Sequence, residues 1–166
     1  MGVYVMAADG SALRQLTHLG YESIAGWSQD GNLVYYAIPS ASEEGFELMT
    51  VDVNSGTTQD VFLLNNSSLK APIPTISPDG KWVAYRDRNM KSVYIKSMDG
   101  NTVRLLLDQP GNALSGIVWG KDSNLLGVGV MTEQNQDGEI VILAPDSCET
   151  YRIPGLSGQL DGIVIP

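Results

Sequence analysis

Trp27-Ser28-Gln29-Asp30-Gly31-Asn32-Leu33-Val34-Tyr35-Tyr36 returns later in the chain as Ile76-Ser77-Pro78-Asp79-Gly80-Lys81-Trp82-Val83-Ala84-Tyr85, and more faintly as Trp119-Gly120-Lys121-Asp122-Ser123-Asn124-Leu125-Leu126-Gly127-Val128. A second phrase, Val3-Tyr4-Val5-Met6-Ala7-Ala8-Asp9-Gly10, returns as Val93-Tyr94-Ile95-Lys96-Ser97-Met98-Asp99-Gly100. The anchors Trp27, Ile76 and Trp119 are 49 and 43 residues apart, and Tyr4, Met49, Tyr94 and Val141 are 45, 45 and 47 apart. Two independent anchors with one period mark a repeat architecture.

Apolar residues at every second position, rich in β-branched and aromatic types and bounded by Gly, Asp, Asn and Pro, predict strands. They fall near 3 to 7, 12 to 17, 22 to 27, 32 to 38, 46 to 52, 58 to 63, 72 to 76, 82 to 87, 92 to 97, 103 to 107, 114 to 119, 125 to 131, 139 to 144, 150 to 153 and 160 to 165. Helical spacing is sustained nowhere. The two phrases alternate, so each period holds four strands, a to d. Leu160-Asp161-Gly162-Ile163-Val164-Ile165 matches Leu114-Ser115-Gly116-Ile117-Val118-Trp119, which makes the last residues another strand a. The expected fold is all-β: a partial β-propeller of four-stranded antiparallel blades, with strands c and d first, three complete blades, and a lone a. The units run approximately 1–17 (partial), 18–63, 64–107, 108–153 and 154–166 (partial), in one repeat domain.

The chain has 166 residues, 43% of them apolar, enough for a buried core. Its formal charge of -9, with no stripe of Lys and Arg, speaks against nucleic acid and anionic lipid and suits a basic partner or a cation. No apolar run reaches the roughly 18 residues of a membrane helix. Met1-Gly2-Val3-Tyr4-Val5 shows no leader pattern, although a preceding segment could carry one. Cys148 is the one cysteine and His18 the one histidine, so an internal disulfide, cysteine-rich zinc sites and multi-histidine metal sites are excluded. A Gly-x-Ser-x-Gly elbow is also missing. No cofactor and no metal is expected, and His18 reads as a solvated loop residue.

Asp9-Gly10, Asp30-Gly31, Asp79-Gly80 and Asp99-Gly100 read as hairpin turns, where Gly supplies a positive φ and Asp bonds its own backbone. The aromatics Trp27, Trp82, Trp119, Tyr4, Tyr35, Tyr36, Tyr85 and Tyr94 occupy repeat-equivalent strand positions, which suits core filling between blades better than a ligand cage. Because antiparallel strands reverse direction, a–b and c–d turns emerge on one face of a propeller and b–c and d–a connections on the other. The irregular segments Pro39 to Gly45, Asn65 to Pro72, Asp87 to Lys91, Asp108 to Asn112 and Thr132 to Gly138 gather on that second face. Loops on a rigid scaffold carry binding groups, so Glu43, Glu44, Arg86, Arg88, Glu133 and Gln134 are the candidate binding residues.

Trp27-Ser28-Gln29-Asp30-Gly31, Ile76-Ser77-Pro78-Asp79-Gly80-Lys81 and Tyr4-Val5-Met6-Ala7-Ala8-Asp9-Gly10-Ser11, with Leu13-Arg14-Gln15-Leu16-Thr17 and Arg86-Asp87-Arg88, resemble the WD40-like PD40 repeats of the TolB β-propeller family. The third blade is degenerate at Gly120-Lys121-Asp122-Ser123. The resemblance implies a non-catalytic module that binds a protein or ligand, in a periplasmic or extracellular setting. The alternative it leaves open is the propeller portion of a prolyl-oligopeptidase-like serine hydrolase whose catalytic domain lies outside this chain. Fewer than four blades do not make the usual ring of four to eight. Three accounts stand side by side: a segment of a longer propeller, an arc that associates with another copy, and a closed four-bladed monomer. Self-association is the expectation for the isolated chain.

Overall fold

The computed structural model describes residues 2–41, 45–65, 74–132, 137–147 and 149–157. Fourteen strands and no helix occupy the described residues: β1 (Tyr4–Val5), β2 (Arg14–Gln15), β3 (Ser23–Trp27), β4 (Leu33–Pro39), β5 (Gly45–Asp52), β6 (Thr58–Asn65), β7 (Thr75–Ile76), β8 (Trp82–Arg86), β9 (Ser92–Ser97), β10 (Val103–Asp108), β11 (Asn112–Trp119), β12 (Leu126–Thr132), β13 (Asp137–Leu143) and β14 (Thr150–Ser157). They form one two-stranded sheet, β1-β2, followed by three four-stranded antiparallel sheets, β3-β4-β5-β6, β7-β8-β9-β10 and β11-β12-β13-β14. A partial propeller is what this order builds, and β1-β2 is the expected c–d pair. The strand expected at 160 to 165 lies outside the described residues.

The second and third sheets bury both faces, and the alternation along their strands shows how. In β8, Val83 and Tyr85 point into the seam shared with the second sheet, while Trp82 and Ala84 point into the seam shared with the fourth. Three seams result. Val3, Leu16, Val34, Tyr36 and Val51 fill the first; Leu48, Leu64, Val83 and Tyr85 are among those filling the second; Ile95, Leu126, Val128, Val130 and Val141 anchor the third. The a strands follow one another along the inner side, with β3 against β7 and β7 against β11.

Polar links span the seams beside the apolar contacts. Trp119 Nε1 donates to Thr75 O at 3.1 Å across the third seam. Lys96 crosses the second seam, where Nζ lies 4.2 Å from the Phe62 ring centroid and donates to Leu63 O at 3.0 Å.

Two expectations need correction. Tyr36 and Tyr85 are core residues, but Trp27 is 51% exposed and Tyr4 48%. Trp27 lies opposite Val34, on the face turned to the first sheet. That sheet contributes only β1 and β2 among the described residues, so the indole has no inner strand beside it of the kind β7 offers Trp119. Tyr4 lies on the outward face of β1, away from the first seam. Second, the segment Asp108 to Asn112 is not a long irregular loop. Strands run up to Asp108 and resume at Asn112, and the link closes through Asn112 N donating to Gln109 O at 3.0 Å.

Candidate functional site

The face of a–b and c–d turns is built from one repeated device. Ser28 Oγ donates to Asp30 Oδ1 at 2.6 Å and accepts from Leu33 N at 2.9 Å. Ser77 does the same with Asp79 (2.7 Å) and Trp82 N (2.9 Å), and Ser97 with Asp99 (2.5 Å) and Thr102 N (2.9 Å). Each Asp also accepts a backbone amide two residues on, from Asn32, Lys81 and Asn101. Asp9, with Ala7 in the place of the serine, takes both its bonds from Ser11.

The degenerate third turn keeps this shape by a substitution of its own. Ser123 holds φ +65° where Gly31 and Gly80 hold +72° and +70°. A side chain in the left-handed region costs energy. Here it gains a contact that glycine cannot make, because Asp79 N donates to Ser123 Oγ at 2.9 Å across the third seam.

The Asp30, Asp79 and Asp99 carboxylates are engaged inside their own turns, and their acidity follows. The Ser28 hydroxyl, then Asn32, hold Asp30 below its ordinary value; the Ser97 hydroxyl, then Asn101, do so for Asp99. Burial works to raise Asp79, but the Ser77 hydroxyl and the Lys81 amide and ammonium outweigh it. Depressed folded values mean stability that is complete above the unfolded value of 3.8 and is lost as pH falls through the folded values. The melting temperature is therefore expected to hold from pH 7 to 5 and to drop below about pH 4. In Ser97→Ala the drop should shrink, since Asp99 loses its first stabilising donor. Melting curves taken across pH 3 to 7 check this, and an unchanged acid slope in the variant speaks against the assignment.

The opposite face carries the b–c and d–a connections. Glu22 is engaged there, with Thr17 Oγ1, Leu19 N and Gly20 N donating to it at 2.6, 2.8 and 2.7 Å. His18 is exposed in the same connection. Of the sequence candidates, Glu43, Glu44, Glu133 and Gln134 lie outside the described residues, as does Cys148. Arg88 is exposed on the turn between β8 and β9.

Arg86 differs from all of these. It is the last residue of β8, paired with Val93, and it continues the Trp82–Ala84 row into the third seam. Only 3% of it is exposed, and its Nε and Nη1 are buried without a hydrogen-bond partner. Burial pushes the guanidinium down to about 10, with Asp87 opposing, so it is charged at neutral pH. The Asp87 carboxylate is occupied by its own turn, accepting from the amides of Lys91 (2.7 Å), Ser92 (2.9 Å) and Asn89 (3.3 Å). Met90, in the same turn, has φ +59°, and its carbonyl accepts from Leu114 N across the seam at 3.0 Å. The seam beside Arg86 is thus closed by a strained turn. Sequence reading found Arg86 as a loop-face residue but not its burial, which depends on which face of β8 it takes.

Among the described residues no three His, Cys, Asp or Glu side chains converge to hold a metal ion. Asp9, Asp30, Asp52, Asp79, Asp99 and Asp122 accept hydrogen bonds within their own turns.

No protein-family model matches the chain, and no curated protein matches it. Solved structures do. A structure from Agrobacterium tumefaciens described as TolB superposes with a TM-score of 0.72 at 16% identity, over 95% of this chain and 59% of that one. A prolyl endopeptidase structure gives 0.62 at 17% identity, over 93% and 26% of the two chains. A nidogen/laminin complex gives 0.60 at 14% identity, over 98% and 59%. At these identities the likeness is one of fold: a TolB-like β-propeller, of which this chain spans somewhat more than half the length of the Agrobacterium protein.

Proposed function

We propose that this TolB-like propeller segment is a non-catalytic interaction module that engages a protein partner through the face carrying its b–c and d–a connections. The observation that carries the reading is the contrast between the faces. On the turn face Asp30, Asp79 and Asp99 are occupied by hydroxyls and amides of their own turns, whereas the opposite face holds a buried cation with unpaired donors. The nidogen/laminin structure, a propeller likeness seen within a protein complex, supports a partner of that class. A periplasmic or extracellular setting belongs to the same proposal. Lysine-specific crosslinking tests it, since Lys91 lies on the proposed face and Lys81 and Lys121 on the turn face. Partner crosslinks should form at Lys91; crosslinks confined to Lys81 and Lys121 would turn the reading around.

A second copy is the other partner this reading names. Met6 and Leu13, 61% and 65% exposed, lie with Tyr4 on the outer side of the first sheet, and Tyr151 and Ile153, 56% and 46% exposed, mark the far end. The inner seams already pack sheet on sheet, and joining these two apolar ends would continue the same packing. Light scattering after gel filtration should find dimers or larger species at micromolar concentration, and a stable monomer would count against it. The likeness to a prolyl endopeptidase favours a second reading, a propeller portion of a serine hydrolase. A Gly-x-Ser-x-Gly region in the continuing reading frame would support that one.

A further inference from the structure

We propose that Arg86 is a receptor for a single carboxylate, brought by the partner of the b–c and d–a face into the mouth of the third seam. The inference rests on the interaction reading above and gives it a chemistry. A buried guanidinium is tolerated in proteins when an anion and hydrogen bonds compensate it. Around Arg86 no described residue accepts a hydrogen bond from Nε or Nη1. Its row neighbours are Trp82 and Ala84 and its cross-strand neighbour is Val93, all part of the apolar cluster that also holds Leu114. The one adjacent carboxylate, Asp87, has its oxygens on the amides of its own turn.

Charge selects the class of ligand. One guanidinium supplies one positive charge and N–H donors in a plane, which a carboxylate matches in charge and geometry. A phosphate dianion would leave excess negative charge beside Asp87, in a chain that is already at -9. The route in is past the 87–91 turn. Met90 is held there in a left-handed conformation, and the tie across the mouth is the bond from Leu114 N to Met90 O. A carboxylate that reached the Nε edge of the fork, beside Nη2, would satisfy one of the two unpaired donors.

The test is a titration of the intact chain, isotopically labelled, followed by the Arg86 Nε–H and the Met90 and Leu114 amide resonances. Sodium acetate serves as the small carboxylate, sodium chloride at equal ionic strength as the control, and Gly-Gly-Glu-Gly-Gly amide as a peptide carboxylate, with its Gln analogue beside it. Acetate should shift these resonances saturably and chloride should not. The Glu peptide should bind about tenfold or more tightly than the Gln peptide. Arg86→Lys, which keeps the charge and loses the planar fork, should weaken the Glu peptide while keeping the fold. Equal responses to acetate and chloride would overturn the proposal, as would equal affinity for the two peptides.

Glu133 lies outside the described residues, and Glu133→Gln serves as the control for an anion supplied by the chain itself. An acetate response found only in this variant would assign the anion to the chain itself and overturn the external ligand. Crosslinks at Lys91 with no carboxylate response would likewise sink the Arg86 receptor while leaving the interaction face standing, so the two readings fail separately.

Discussion

Arg86→Met stabilises the free chain. The guanidinium is 3% exposed, with Nε and Nη1 unpaired, and its neighbours along β8 and across to β9 are apolar. Leaving a buried donor unsatisfied costs about 1–3 kcal/mol, more when it carries charge. Methionine fills a similar length with no donors to strand and adapts its shape to the space. Replacing buried charges by apolar side chains of similar volume has been neutral or stabilising by about 1–4 kcal/mol, and Arg86 starts without the partner that would lower the gain. Urea unfolding at pH 7 reads the effect as a higher midpoint at an unchanged slope. A midpoint lowered by a similar amount would mean that the guanidinium already has an anion inside the fold. A gain of stability on removing a residue is the behaviour of a position kept for binding.

The largest loss is expected at the second seam. Leu48 is completely buried between the second and third sheets, packed with Leu64, Val83 and Tyr85. Leu48→Ala removes three carbons from a position closed on every side, and such changes cost about 2–5 kcal/mol. Against the ~5–15 kcal/mol that holds a typical domain together, that is enough to populate opened forms. Because each sheet touches only its neighbours, the damage should also be local. Amide exchange should accelerate first in β4, β5, β8 and β9, while β12 and β13, across the intact third seam, keep their protection. Uniform acceleration through all three four-stranded sheets would show instead that the seams open together.

Much of this architecture can be read in the chain itself. Near-continuous apolar runs mark strands where both faces of a sheet are covered, since each face needs its own apolar row; β4 and β8 show it. The Asp-Gly turns are legible for a local reason, because their bonds run between residues two to five apart. What escapes is whatever depends on a neighbour in space. Trp27 and Trp119 occupy the same repeat position, yet one is half exposed and the other donates across a seam, because among the described residues only Trp119 has the inner strand of a preceding sheet beside it. Ser123 looks like a decayed glycine until its hydroxyl is seen to accept from the adjoining blade. The binding candidates divide in the same way. Arg88 is exposed, as a turn residue next to Gly-free polar sequence would be, but Arg86 is buried by the parity of its strand and by the sheet that follows. Glu43, Glu44, Glu133 and Gln134 lie outside the described residues.

Among the bonds that pin the third seam are those of the Trp119 indole on the Thr75 carbonyl and of the Asp79 amide on the Ser123 hydroxyl. Two short struts at different positions remove the swivel that a purely greasy contact would permit. The angle between those adjacent wedges is therefore set, and with it the curvature of any circle that further wedges could complete.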